Sequence, residues 1–460
     1  MNKRLVLIVS MLFAVAGITH GQTCSVTTAT TDHSPSLPSE VVSGDFNGDG
    51  NLDLATIGDD QMEPDVLPRV SVLLNNGDGS FAAPLSTIVG SVGIAMDAGD
   101  LDNDFDLDIV IENEEQGTIS ILLNNGDGTL ASEIELDVPV FQDFLVTSGV
   151  ALGDFDADLD LDMAVLVSEV LFTETSIFFP GYVVLFTNNG DGTFEAEFLD
   201  DVGGLPVAIS SEDIDNDLDF DLIVLNQNVE IDNSGAPSPP ASVSVLLNNG
   251  DGTFATPTEF ITDSDPEDFA IADFTGDGNL DLVLNSIFDS QVLLLPGDGV
   301  GGFGEPSFST IGGGLNTARD VEALDVDGDL DMDLIIPHGM DNRVALMIND
   351  GSGSFELDLV IDSGVSPIEA IIGDFDGDST PDAAVIHSIQ QTVVSMFFSC
   401  EGTSPLLGDI NLDNVVNLLD VDPFVDRLLT NTFQAEADIN QDQVVDLLDV
   451  VPFVELLSAG

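Results

Sequence analysis

At 460 residues and 43% hydrophobic content, the chain is long enough to bury a sizeable core, so its formal charge of −79 is read as a patterned surface and not as disorder. Six lysines and arginines against 85 aspartates and glutamates make it a poor partner for nucleic acid or an anionic membrane, since both bind through positive charge. Cations are the expected partners, because self-repulsion on this scale destabilises a compact state unless something neutralises it.

Residues 1–21 set Lys3 and Arg4 before an apolar run from Leu5 to Ala16, then small or polar residues to Gly21. That is the layout of a secretory signal peptide, so the expected location is extracellular or at the cell surface. No later stretch is long and uncharged enough to span a membrane. Removal of this segment would leave Arg69, Arg319, Arg343 and Arg427 as the basic residues, with no lysine.

From Asp45 onward a nine-residue acidic loop recurs seven times, its first aspartates 49 to 60 residues apart. A period this regular marks an array of supersecondary units, none of which can bury its apolar face alone. Hard cations such as calcium take six to eight oxygens, and a chain with oxygen donors on alternate residues can wrap them around one point. The predicted ligands are the first, third, fifth and ninth residues, with the seventh offering its carbonyl. In order they are Asp45, Asn47, Asp49 and Asp53; Asp100, Asp102, Asp104 and Asp108; Asp154, Asp156, Asp158 and Asp162; and Asp213, Asp215, Asp217 and Asp221. Three further sets follow: Asp273, Thr275, Asp277 and Asp281; Asp325, Asp327, Asp329 and Asp333; and Asp374, Asp376, Asp378 and Asp382. Copies two, three, four and six put Phe105, Leu159, Leu218 and Leu330 where a glycine would ease the turn, so distortion is expected there. The alternative reading is a set of acidic surface turns without metal.

Around each loop run short β-rich segments. In the first unit Glu40–Gly44 leads in, Asp53–Ile57 leads out, and Arg69–Leu74 runs to a turn at Asn75-Asn76-Gly77-Asp78-Gly79. Asn-Gly and Asp-Gly tolerate positive φ, so the text reads as antiparallel strands joined by hairpins, four strands per unit. Seven such units predict an all-β seven-bladed propeller over 22–400, because radial closure leaves few exposed strand edges. The seventh unit stops at Cys400 before its fourth strand, and the segment from Cys24 to about Thr31 has the length to supply it. A Cys24–Cys400 disulfide would then stand in for the absent hairpin; the alternative is two free thiols.

After a linker at 401–407 the periodicity turns helical. Asp409, Asn411, Asp413, Asn417 and Asp420 occupy positions 1, 3, 5, 9 and 12 of a loop that feeds an apolar helix, and Asp438, Asn440, Asp442, Asp446 and Asp449 repeat the pattern. This is EF-hand spacing without the first helix, and it predicts a small all-α duplicated calcium-binding domain at 408–460.

The acidic units resemble the FG-GAP/VCBS repeats of integrin-α-like propellers over residues 23–400. The resemblance implies calcium in the loop joining the first two strands of each blade, and names no ligand. Residues 408–460 are similar to a type I dockerin, which implies docking onto cohesin in a polysaccharide-degrading assembly. Asn414 and Gln443 depart from the usual loop glycine of that pattern, Leu418-Leu419 and Leu447-Leu448 from its contact pair, and Pro423 and Pro452 interrupt the helices. The competing reading is a self-packed helical pair that caps or anchors the chain.

No catalytic constellation is expected. His33, His338 and His387 are isolated, and the carboxylate pairs lie in loops where ligation would keep them ionised. The second-to-third strand connections lengthen at Ser168–Tyr182 and Asn226–Ala241. Phe178, Phe179 and Tyr182, with neighbouring apolar residues, are candidates there for a partner-binding patch, the alternative being a blade edge packed on itself. The expected function is that of a secreted, calcium-binding, non-catalytic adhesion protein that recognises an extracellular protein or matrix and is tethered through its tail. The second candidate is an accessory component of a polysaccharide-degrading assembly, held by a cohesin-bearing scaffold.

Overall fold

The computed structural model describes residues 23–401, apart from 33–36, 60–66, 92, 94, 114–116, 140–144, 173–175, 228–229, 233–239, 263–265, 287–289 and 313–317. The signal segment and the whole of 402–460, with the predicted EF-hand-like pair, lie outside the described residues. One compact unit carries Val26–Phe398; of the other, only strand ends at 23–25 and 399–401 are described.

Seven four-stranded antiparallel sheets follow one another in the first unit. Six are consecutive meanders, such as Leu37–Gly44, Asp53–Asp59, Arg69–Leu73 and Leu85–Ile88 in blade one. In the seventh, Pro367–Gly373, Asp382–His387 and Thr392–Glu401 are completed by the N-terminal strand Thr23–Asp32. The ring is thus closed by its two ends, and the chain is a seven-bladed propeller. The side chains of Cys24 and Cys400, on these neighbouring strands, fall outside the described residues.

Burial follows the layering. Second strands such as Asp108–Asn113 and third strands such as Thr118–Leu122 are buried along their length, because both faces meet an adjacent blade. They read as continuous apolar runs. Fourth strands such as Ile134–Asp137 and Thr258–Ile261 lie at the rim and are mostly exposed. First strands line a central cavity of about 710 Å3.

The two long connections are partly ordered as sheet. Ser168 lies within the second strand of blade three, Asp162–Glu169, and Tyr182 within the third, Pro180–Asn188, so this blade is taller than expected. Between them Leu171–Phe172 and Ser176–Phe178 form a hairpin, and Glu230–Asp232 from the blade-four connection adds a third strand to it. Among the described residues, no helix is long and apolar enough to cross a membrane.

Candidate metal loops and the central channel

Each acidic loop hangs between the first and second strands, and its ninth residue is the first residue of the second strand. That aspartate is fully buried in every blade. Its two oxygens accept backbone N–H groups from two directions: Asp108 takes Leu101 at 3.0 Å and Asn124 at 2.8 Å, and Asp162 takes Phe155 at 3.0 Å and Asn188 at 2.8 Å. One partner is the second loop residue; the other begins the hairpin after the third strand. The ninth aspartate therefore latches two loops together besides offering lone pairs to a cation.

The first aspartate shapes the turn. Asp100 accepts the N–H of Asp104 at 3.0 Å and of Phe105 at 2.9 Å, and Asp213 does the same for Asp217 and Leu218. These bonds hold the sixth residue at positive φ whatever its side chain: Gly50 at 92° and Gly278 at 87°, but also Phe105 at 74°, Leu159 at 78°, Leu218 at 79° and Leu330 at 76°. The expected distortion does not occur. The bulky residues adopt the left-handed conformation and carry its strain instead.

Of the predicted ligands, the fold gathers the first, third and ninth carboxylates. Asp100, Asp102 and Asp108; Asp154, Asp156 and Asp162; Asp213, Asp215 and Asp221; Asp325, Asp327 and Asp333; and Asp374, Asp376 and Asp382 each bring one oxygen apiece within 4.8 Å of the others. The fifth aspartate stands outside these trios. In Asp104, Asp158, Asp217, Asp277, Asp329 and Asp378 one oxygen instead accepts the N–H of the seventh residue, as it does in Asp49. In blades one and five the third position is Asn47 and Thr275.

One third-position atom tests whether a cation suits the loops. Asp102 Oδ1 is buried without a hydrogen-bond partner, as an oxygen reserved for a ligand would be. The carboxylates also crowd one another. Burial, together with the charges of the third and fifth aspartates, pushes Asp108 and Asp162 up to about 6, Asp221 to about 7 and Asp333 to about 8. A divalent ion would reverse that balance. The hard, all-oxygen donor set fits calcium.

The hairpin asparagines are functional residues that the repeat text did not single out. Asn75, Asn124, Asn188, Asn248 and Asn349 are buried, and each side-chain amide crosses to another blade. Asn124 Nδ2 donates to Phe46 O, Asn188 to Leu101 O, Asn248 to Phe155 O and Asn349 to Phe274 O, each at 2.8 Å; Asn75 reaches Phe375 O, closing the ring at the same distance. The hairpin phenylalanine follows the same route, as Phe81 packs edge-on against Phe375 and Phe254 against Phe155. The recurrence of an asparagine at the start of these hairpins was the available signal; its target in the preceding blade was not.

The central cavity was also missed. It is lined by the acidic residues Glu40, Asp97, Asp268, Asp320, Glu322 and Glu369, with Arg319 among them. Several stitch one inner strand to the next: Glu369 accepts the N–H of Val41 at 2.9 Å, Asp320 that of Ala370 at 2.6 Å, and Asp97 that of Leu152 at 3.0 Å. Glu40 hydrogen-bonds to Glu369, and Asp268 to Asp320, contacts that require a shared proton. Burial pushes Glu40 and Glu322 up to about 8 and Asp97 up to about 6, and it raises Glu369 and Asp320 well above the carboxylate range.

His338 and His387 end the second strands of blades six and seven and are buried. Burial lowers His387 to about 4, so its imidazole is neutral. Phe179 and Tyr182 are half-buried, while the Phe178 side chain lies outside the described residues.

Residues 45–111, 100–165, 229–284 and 325–385, together just over half of the chain, match the FG-GAP-like repeat family. Similar solved structures include an Agrocybe aegerita lectin that recognises non-reducing terminal N-acetylglucosamine, at 20% identity over 78% of this chain and 85% of that one, with a TM-score of 0.43. Another is the periplasmic gluconolactonase PpgL of Pseudomonas aeruginosa, at 13% identity over 70% of this chain and 85% of that one, with a TM-score of 0.45. No curated protein matches the chain.

Proposed function

As this chain belongs to the FG-GAP-like repeat family, we propose that it is a secreted, calcium-stabilised propeller with a non-catalytic role in binding an extracellular protein or matrix. The observation that carries the calcium part is the gathering of first, third and ninth carboxylates in five separate blades, with the Asp102 Oδ1 oxygen of one of them unpartnered. Calcium would be held by these residues and would supply charge neutralisation, with no reaction to perform. The chain's own part is to fix the donors: the ninth aspartate is anchored by two N–H groups and the turn is wound around the first. Because the same aspartate latches the hairpin, an ion there would stiffen the whole loop end of the blade.

Thermal unfolding of the purified protein tests this reading. With calcium the melting temperature should rise by roughly ten degrees or more over the EGTA-treated protein, since several sites add their linkage. Unchanged melting and no calcium uptake would remove the ion from the account.

The tail favours a second role. The duplicated Asp409 and Asp438 loops would tether the propeller to a cohesin-bearing scaffold, which makes it an accessory of a polysaccharide-degrading assembly. Co-purification with such a scaffold that is lost on deleting 408–460 supports this role; retention by cells or matrix after the deletion supports the adhesion role alone.

A further inference from the structure

The seven loops fall into two kinds, and two positions change together. In blades one, five and seven the sixth residue is Gly50, Gly278 or Ser379 and the seventh is Asn51, Asn279 or Thr380. In blades two, three, four and six the sixth is Phe105, Leu159, Leu218 or Leu330, and the seventh is Asp106, Asp160, Asp219 or Asp331. These four apolar side chains are 93%, 72%, 89% and 77% exposed, at positive φ where the sister loops do without bulk. Each is thus unfavourable twice over, in hydration and in backbone strain. In blade five, whose loop carries Gly278, the hairpin tip supplies Val300, 70% exposed.

All these tips belong to one end of the propeller. Asn103 Nδ2 in the blade-two loop donates to Asp160 Oδ1 in the blade-three loop at 2.7 Å, and Gly252 N in the blade-four hairpin donates to Phe155 O at 2.9 Å. Borne on loops of equal length at the same position, the tips form an arc of separate apolar points set among carboxylates.

We propose that this loop end is a docking surface for a polypeptide partner that is basic and carries apolar side chains or pockets. Charge complementarity selects the occupant. Each of the four loops has aspartates at positions one, three, five, seven and nine, so one divalent ion leaves it still negative. A second copy of this chain is acidic itself, with six basic residues against 85 acidic ones. An anionic lipid surface is repelled with or without the ion. The additional aspartate arrives in the same four loops as the apolar tip, which couples the two requirements on the partner. This deepens the binding role proposed above and does not depend on which ion, if any, occupies the loops.

The test uses the full chain with a synthetic amphipathic lysine/leucine peptide as probe and polylysine as the charge-only control, at about 0.15 M salt to screen distant charges. Replacing the four tips together (F105G/L159G/L218G/L330G) should weaken peptide binding by at least about tenfold, through lost apolar burial, and change polylysine binding by less than about twofold. Its melting temperature should be equal or higher, because glycine relieves the positive-φ strain. The serine version (F105S/L159S/L218S/L330S), which copies Ser379, serves as a second variant. The tip dependence should persist in EGTA, so a failure of the calcium reading leaves it standing. Equal peptide affinity in both variants overturns the proposal, as does tip-dependent binding to phosphatidylserine vesicles or tip-dependent self-association in its place.

Discussion

Asn124 and Phe46 sit 78 residues apart, yet the asparagine side-chain amide donates to the phenylalanine carbonyl at 2.8 Å, across the boundary between blades two and one. The backbone N–H of the same asparagine is held by Asp108 in its own blade. One residue therefore ties an acidic loop, a hairpin and the preceding blade into a single unit.

Replacing Asn124 by alanine leaves the buried Phe46 carbonyl without this donor. The expected loss is about 1–3 kcal/mol, read as a lower urea midpoint at unchanged slope. An unaltered midpoint would mean that the staple contributes nothing.

Blade five lacks the staple, since Gly297 occupies the asparagine position. A Cβ at Gly297 would meet the Leu280 carbonyl oxygen at 2.0 Å, and backbone cannot move aside cheaply. Gly297→Asn should therefore destabilise the protein by at least about 1 kcal/mol instead of restoring the staple. A stabilised variant would contradict this.

Calcium uptake should release protons. Asp221 and Asp333, pushed up to about 7 and about 8, are partly protonated near pH 6.5, and a cation requires them ionised. Calorimetric titrations in two buffers of different ionisation heat should differ, and the difference should shrink above pH 8.5. Asp102→Asn should lower the affinity of the blade-two site while leaving the fold intact, because it removes charge but keeps shape.

The channel predicts a pH dependence of the opposite sense from a salt-bridged protein. Glu40 and Glu322 rise from ordinary values to about 8, and Asp97 to about 6, so the folded state binds protons more tightly than the unfolded one. Their contribution is complete below about pH 4 and is lost as pH climbs towards about 8. In EGTA the melting temperature should fall between pH 5 and pH 8.5. The ion-free loop aspartates act in the same direction, so the experiment is repeated with saturating calcium, which should leave only the channel part. Glu369→Gln removes one charge facing Glu40 while keeping an acceptor for the Val41 N–H, and should flatten that remaining slope. A slope unchanged by this substitution would place the titration elsewhere.

The amino-acid sequence alone determined the array. Oxygen donors at alternate positions from Asp45, Asp100 and their five counterparts lie within nine residues, so the turn they form is local and legible without knowledge of the rest. The Asn-Gly-Asp-Gly hairpins are local for the same reason, and the missing fourth strand after Cys400 pointed to the N-terminal strand that closes blade seven. Only the tertiary structure decided which donors meet. The fifth aspartates turn to their own backbone, while the ninth come to the first and third because the second strand is buried between blades. The Asn124 staple, the Glu40 and Glu369 pair drawn from opposite ends of the chain, and the arc of exposed tips all depend on ring closure. Closure brings together residues that no local spacing relates, and it turns one strand of each blade towards a shared axis.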